Sequence, residues 1–255
     1  SYSLPQSAAR ISADDLNHSS PGFGMVLQQD RLDLHYGGRT KQGTFQITGR
    51  LDVAMPVVRH GNNGLSRKSE CPTCVTMYSS LPLLKGLVTL SQPDKPPRQL
   101  QASYWYDHEF GSQVLGDMAV GWDWFGIQLQ DGSAIMVFQL RNQTGKPIYR
   151  SGSLISPEGQ LTNLKDQQDK INLTPTKTWR SPHTGATYPI HWRLAIPQRP
   201  AIVIKTSLAD QEVSTQTLGF PIYYEGTAEV LDESGRKIGD AYMEMNGYGK
   251  ERMTL

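Results

Sequence analysis

The sequence predicts an all-β chain that repeats one antiparallel barrel unit. Three observations lead there. Glycine (24) and proline (16) punctuate the chain so often that long uninterrupted runs are rare. The segments between them are short and alternate apolar with polar residues, the period of a half-buried strand. One hairpin pattern also occurs twice. Lys85–Gly86–Leu87–Val88–Thr89–Leu90, a turn, then Tyr104–Trp105–Tyr106–Asp107–His108–Glu109–Phe110–Gly111 is one copy. Glu225–Gly226–Thr227–Ala228–Glu229–Val230, a turn, then Tyr242–Met243–Glu244–Met245–Asn246–Gly247–Tyr248–Gly249 is the other. Separation by about half the chain is what duplication of a barrel produces. In this alignment Asp107 falls opposite Met245 and His108 opposite Asn246. The carboxylate–imidazole pair therefore belongs to one copy and is no requirement of the fold.

Composition excludes several function classes. Hydrophobic residues make up 37% and charged residues 19%, with a formal net charge of +1. That balance suits a packed globular chain and removes the electrostatic reason to propose nucleic acid as a partner. No apolar stretch approaches the ~18 residues of a membrane span. Opening on Ser1 without a charged-then-apolar leader, the chain is expected to be a processed protein or a fragment.

Taken in order, residues 6–20 can hold one short helix capped by Ser7 or Ser12. The two cysteines lie in Cys71–Pro72–Thr73–Cys74. Only His60 is near enough in sequence to join them at a zinc ion, and no helix start follows as in a redox motif. A loop with two thiols or a small local disulfide is expected. Residues 121–141 form the clearest hairpin, turning at Asp131–Gly132. A two-residue loop there pairs Phe125 with Phe138 and Trp122 with Arg141. One face then carries Asp123, Phe125, Ile127 and Leu129 against Ala134, Met136, Phe138 and Leu140. The other sets Trp122, Trp124, Gly126 and Gln128 against Ile135, Val137, Gln139 and Arg141, as a ligand-facing wall or a domain interface does. Residues 160–174 are polar without a helical period. His191 and Trp192 read as one outward and one core residue, and Tyr223, Tyr224 and Tyr248 as barrel aromatics. The two units are expected to span 1–112 and 113–255 and to meet within 112–120.

Four stretches together carry a resemblance. They are His60–Gly61 through Ser66–Arg67–Lys68; Tyr106–Asp107–His108–Glu109–Phe110–Gly111–Ser112 followed by Gly121–Trp122–Asp123–Trp124–Phe125; Trp179–Arg180–Ser181–Pro182 through Tyr188–Pro189–Ile190–His191–Trp192–Arg193–Leu194; and Tyr224–Glu225–Gly226 through Tyr248. In order and spacing, over roughly residues 22–250, the chain resembles the AttH-like proteins, which include the carotenoid 1,2-hydratase (hydroxyneurosporene synthase) branch. The resemblance implies two tandem lipocalin-like, calycin-type antiparallel β-barrels. It also implies export to the periplasm or cell envelope, in some members as lipoproteins, and in some an association with an ABC-transporter system. The hydratase branch adds water to a terminal isoprene double bond. This chain departs from it at several points. Trp105 stands where that branch has a tyrosine two residues before its key aspartate. Residues 75–82 lack its His-x-Trp pair, and residues 1–20 lack the family's Trp-Trp-Tyr-type strand. Asp107 is the one hydratase residue carried over.

Hydrating an isolated alkene needs a proton donor, a π-rich wall for the carbocation and a water to capture it. A carboxylic acid kept neutral by an apolar setting can donate, and indole faces stabilise cations best. Asp107, flanked by Tyr104, Trp105 and Tyr106, is the candidate acid. The candidate binding residues are those three aromatics with His108, Glu109, Trp122, Trp124 and Arg141. Alternatively Asp107, His108 and Glu109 form a polar network that pins a strand end. No nucleophile elbow, phosphate loop, dinucleotide fingerprint or zinc motif is present, so no cofactor or metal is expected and a classical hydrolase is poorly supported. Two functions from different classes remain. A carrier of a hydrophobic, isoprenoid- or lipid-like molecule is placed first, because the acid's usual partners are missing. An Asp107-dependent hydratase is placed second.

Overall fold

In a computed structural model that describes residues 10–11, 17–20, 23–40, 43–69, 73–111, 119–164, 170–213 and 222–249, strand and turn account for nearly everything. Among the described residues there is no α-helix, and no helix long and apolar enough to cross a membrane. Where a short N-terminal helix was expected, Arg10–Ile11 and Asn17–Ser20 are strands. The remainder of residues 6–20 lies outside the described residues.

Two antiparallel sheets result. The first contains β1 (Arg10–Ile11), β2 (Asn17–Ser20), β3 (Phe23–Gln28), β4 (Arg31–Thr40), β5 (Gly43–Val53), β6 (Val58–Arg59), β7 (Leu65–Arg67), β8 (Val75–Gln92) and β9 (Lys95–Phe110). The second contains β10 (Gly121–Leu129), β11 (Ala134–Arg141), β12 (Pro147–Ile155), β13 (Leu161–Asn163), β14 (Asn172–Arg180), β15 (Thr187–Ala195), β16 (Ile202–Lys205), β17 (Glu212–Val213), β18 (Tyr223–Asp232) and β19 (Lys237–Met245). Residues 160–174, expected as polar and non-helical, contribute β13 and the start of β14. The first sheet ends at Phe110 and the second begins at Gly121, while residues 112–118 of the expected junction lie outside the described residues. The echoed segments form the hairpins β8–β9 and β18–β19.

Packing gathers the chain into two compact units, Ser1–Pro56 with Leu83–Tyr106, and Val57–Pro82 with Asp107–Leu255. In the first, β4 and β5 pair from Arg31↔Asp52 to Thr40↔Gly43, and β5 continues onto β8. Among the described residues, Met25, Leu32, Leu51, Met55, Leu83 and Leu84 are its buried apolar residues. The ion pairs Arg31–Asp52 and Arg50–Asp33 are exposed, where such pairs contribute little.

The second unit holds the larger core. Its sheet runs β13-β12-β11-β10-β19-β18-β16-β15-β14, so β10 and β15 are separated by three strands. Phe125 of β10 nevertheless meets Trp192 of β15 edge to face, with ring centroids 5.4 Å apart. Only a curled sheet lets those strands share one interior, which also takes in Tyr188, Ile204, Tyr224, Val230 and Met243. Trp192 is the core residue and His191 the half-buried one, as the alternation on this strand predicts. This all-β arrangement of two curled antiparallel sheets is that of tandem lipocalin-like barrels.

The 121–141 hairpin forms, but one residue out of the expected register. Gly121 pairs with Arg141, Trp124 with Phe138 and Phe125 with Val137. The cause lies in the turn. Leu129 N donates to Ser133 O at 2.9 Å, so the loop has three residues, Gln130, Asp131 and Gly132. Only Gly132 takes positive φ (86°), and Asp131 Oδ1 accepts from Ser133 N and Oγ, so a type I turn closes through a left-handed glycine. A slip of one residue moves every partner to the other face. Asp123, Phe125, Ile127 and Leu129 therefore lie beside Ile135, Val137, Gln139 and Arg141, and the tryptophan face lies beside Ala134, Met136, Phe138 and Leu140. Gly132→Val is expected to lower stability by ~1 kcal/mol or more, because a β-branched residue resists the positive φ at this position. An unchanged denaturation midpoint would contradict the turn.

Candidate functional site

On β8, alternation turns Thr76, Tyr78 and Ser80 to one face, where all three are buried. Two acids of β9 meet them. Thr76 Oγ1 donates to Glu109 Oε1 at 2.5 Å, Tyr78 OH donates to Asp107 Oδ2 at 3.0 Å, and Ser80 Oγ donates to Asp107 Oδ1. Tyr78 is fixed in turn, since its oxygen accepts from the Trp124 indole N–H at 3.0 Å. Burial, then the charges of Asp107 and Glu109, hold the Tyr78 hydroxyl well above the usual phenol range, so it remains a donor. Asp107 itself is exposed. It is thus an accessible carboxylate whose two oxygens are both held by buried side chains.

Behind Ser80 stands His60, which is fully buried. Its Nε2 lies 2.8 Å from Ser80 Oγ, its Nδ1 lies 2.9 Å from Ser153 Oγ, and its ring lies 4.4 Å from that of Tyr78. Burial, helped by the Lys68 charge, pushes the imidazole down to about 3, so it is neutral at physiological pH. Lys68 is buried too and ion-pairs with Glu109, its ammonium 4.8 Å from the Tyr78 ring centroid and 4.6 Å from that of Phe138. Burial lowers its proton affinity, while Glu109 and Asp107 raise it.

The tryptophan face of β10 completes the cluster. It lies beneath residues 57–82: Trp124 bonds Tyr78, and Gln128 Nε2 donates to Pro82 O at 2.8 Å. Next on the sheet, Trp124 pairs with Glu244 of β19, and Glu244 with Glu225 of β18. Burial and then the Glu225 charge raise the Glu244 carboxyl to about 7, a hydrogen bond from Trp122 opposes this, and Asp107 and Glu109 add to it. Tyr223 and Tyr242 bond Glu225, and burial followed by that charge raises both phenols. Tyr223 therefore belongs to this outer cluster, and Tyr224 to the core.

The opposite face holds a separate ion pair. Asp123 is fully buried and receives Arg141 Nε at 3.0 Å, Gln139 Nε2 at 2.8 Å and Tyr248 OH at 2.9 Å. Burial raises its carboxyl, and these three partners hold it down. Arg141 also donates to the backbone oxygens of Trp122 and Asn246 and lies over the Tyr248 ring at 3.9 Å. The expected pairing of the Arg141 and Trp122 side chains is thus corrected, because the register aims the guanidinium at Asp123.

Of the residues expected at the site, Asp107, Glu109, Trp122 and Trp124 come together. His108 alternates to the other face of β9, where it packs on Phe110 at 5.3 Å. Tyr104, Trp105 and Tyr106 belong to the first unit, the first exposed and the others half-buried. Sequence reasoning missed Tyr78, Ser80 and Glu244, and it held His60 and Lys68 only as part of a family motif, with His60 also weighed as a zinc partner of the cysteines. One available signal was the hydroxyl at every second position of Thr76-x-Tyr78-x-Ser80, where a purely structural strand would be apolar. The positions of β8 facing Asp107 thus carry neither the His nor the Trp of the hydratase branch. Cys74 is buried and disulfide-bonded, which removes the free-thiol alternative, while Cys71 lies outside the described residues.

Comparison with known proteins agrees with this architecture. A structure assigned as an AttH from Nitrosomonas europaea superposes with a TM-score of 0.82 at 27% identity, covering 92% of this chain and 70% of the other. Kievitone hydratase from Nectria haematococca superposes with a TM-score of 0.66 at 20% identity, covering 91% and 70%, a likeness of fold. No curated protein sequence matches the chain. The AttH-like family model matches residues 6–248, and the chain belongs to that family.

Proposed function

We propose that this protein binds a hydrophobic, isoprenoid- or lipid-like molecule and acts on it as a hydratase, with Asp107 as the acid. The observation that carries the reading is exposure combined with fixation. Asp107 faces outward, while its two oxygens are oriented by the buried hydroxyls of Tyr78 and Ser80. Such second-layer support is what a working acid needs. The resting hydrogen bonds suit the carboxylate form, and an apolar substrate that covers Asp107 strips its water and raises its proton affinity. The proton then passes to one alkene carbon, water captures the cation at the other, and the proton released by that water returns to Asp107. Export to the periplasm or envelope, and association with an ABC-transporter system, go with this proposal.

Asp107→Asn separates this reading from that of a carrier. Turnover of an isoprenoid alkene, followed by mass spectrometry as the gain of one water, should fall at least about 10²-fold. The thermal midpoint and binding of a fluorescent apolar probe should hold. Probe binding by the wild type with no hydrated product from a panel of alkenes would leave the carrier. A collapse of stability in Asp107→Asn would return Asp107 to a structural role.

A further inference from the structure

We infer that His60, acting through Ser80, is a positioning residue for Asp107, and that the line Ser153–His60–Ser80–Asp107 fixes where each proton sits. This rests on Asp107 being the acid of the site, but the argument itself is one of counting donors. Ser80 has a single proton and two neighbours, the Asp107 carboxylate and His60 Nε2 at 2.8 Å. An ionised carboxylate can only accept, so the Ser80 proton goes to Asp107. His60 must then carry its own proton on Nε2 and give it to Ser80. Nδ1 is left bare and accepts from Ser153 Oγ at 2.9 Å. All three supporting side chains are buried, so water does not offer Ser80 an alternative partner.

The line keeps this arrangement in both protonation states of Asp107. When the exposed Asp107 takes up a proton on a lone pair that faces outward, Ser80 still donates to its Oδ1, and the ring proton stays on Nε2. The two states differ by the one proton on Asp107, and the imidazole remains neutral in both, as its complete burial favours. His60 therefore does not supply the reacting proton. It sets the direction of the Ser80 hydroxyl, and through it the ease with which Asp107 gains and loses a proton.

Nitrogen-15 spectra of histidine-labelled wild type test this without any turnover. The His60 ring should be the neutral Nε2–H tautomer from about pH 5 to 8. An Nδ1–H tautomer or a charged ring across that range would overturn the inference. The Asp107 carboxyl can be followed separately by carbon-13 titration. In His60→Leu its midpoint should rise by about one pH unit, because the undirected Ser80 hydroxyl stabilises the carboxylate less. His60→Gln, which keeps an N–H donor towards Ser80, should restore most of the shift. The other ionisable groups facing Asp107, namely Tyr78, Lys68, Glu109 and Glu244, are left in place. Equal shifts in both variants, or none in either, would overturn the inference, and wild-type tautomer data decide it even if a variant fails to fold. Loss of the hydratase reading would appear only in the turnover assay, so the two failures can be told apart.

Discussion

Replacing Arg141 by Met is expected to destabilise the protein by ~3–5 kcal/mol, the usual cost of leaving a buried charge without its partner. Asp123 is fully buried and keeps only Gln139 and Tyr248 once the guanidinium is gone. Two backbone oxygens, of Trp122 and Asn246, each lose one donor in the same change, and that of Trp122 still accepts from Asn246 N. Asp123→Leu should cost a similar amount, since Arg141 is then the orphan. The double variant should cost less than the sum, because its two lesions share one interaction. Chemical denaturation of the four proteins gives the coupling energy directly. Additive losses would show that Asp123 and Arg141 do not depend on each other, contrary to their 3.0 Å contact.

Glu244→Gln is expected to do the opposite at alkaline pH and raise stability. Burial and the neighbouring Glu225 lift the Glu244 carboxyl from its ordinary 4.5 to about 7 in the folded protein. Between those values the folded state binds more protons here than the unfolded chain. Stability from this group is therefore fully present below pH 4.5 and is lost as pH rises through 7. By pH 8 the loss is on the order of 2–3 kcal/mol. Glutamine keeps the shape and an oxygen for Trp122 but cannot ionise. Variant and wild type should thus match near pH 4 and diverge towards pH 8, with the variant more stable. Thermal or urea denaturation across that range checks the sign, and a difference independent of pH would remove Glu244 as the titrating group.

The sequence by itself determined the strand content, the echoed hairpins and the position of the 131–132 turn, because glycine, proline and alternation act locally. Combined motifs also carried the family, and Asp107 stood out as a candidate acid among aromatics. Register was beyond it. Alternation tells which residues share a face of one strand, but loop length decides which of two strands' faces meet, and β11 is apolar enough on both sides to fit either register. That single slip moved Arg141 from Trp122 to Asp123. The supports of Asp107 come from β8, 27 and 29 residues earlier, and the partners of Glu244 from three other strands. Whether an acid is exposed or raised, and which hydroxyl faces it, depends on burial and on charges brought together by distant segments. Those are properties of the packed unit, and only the tertiary structure decided them.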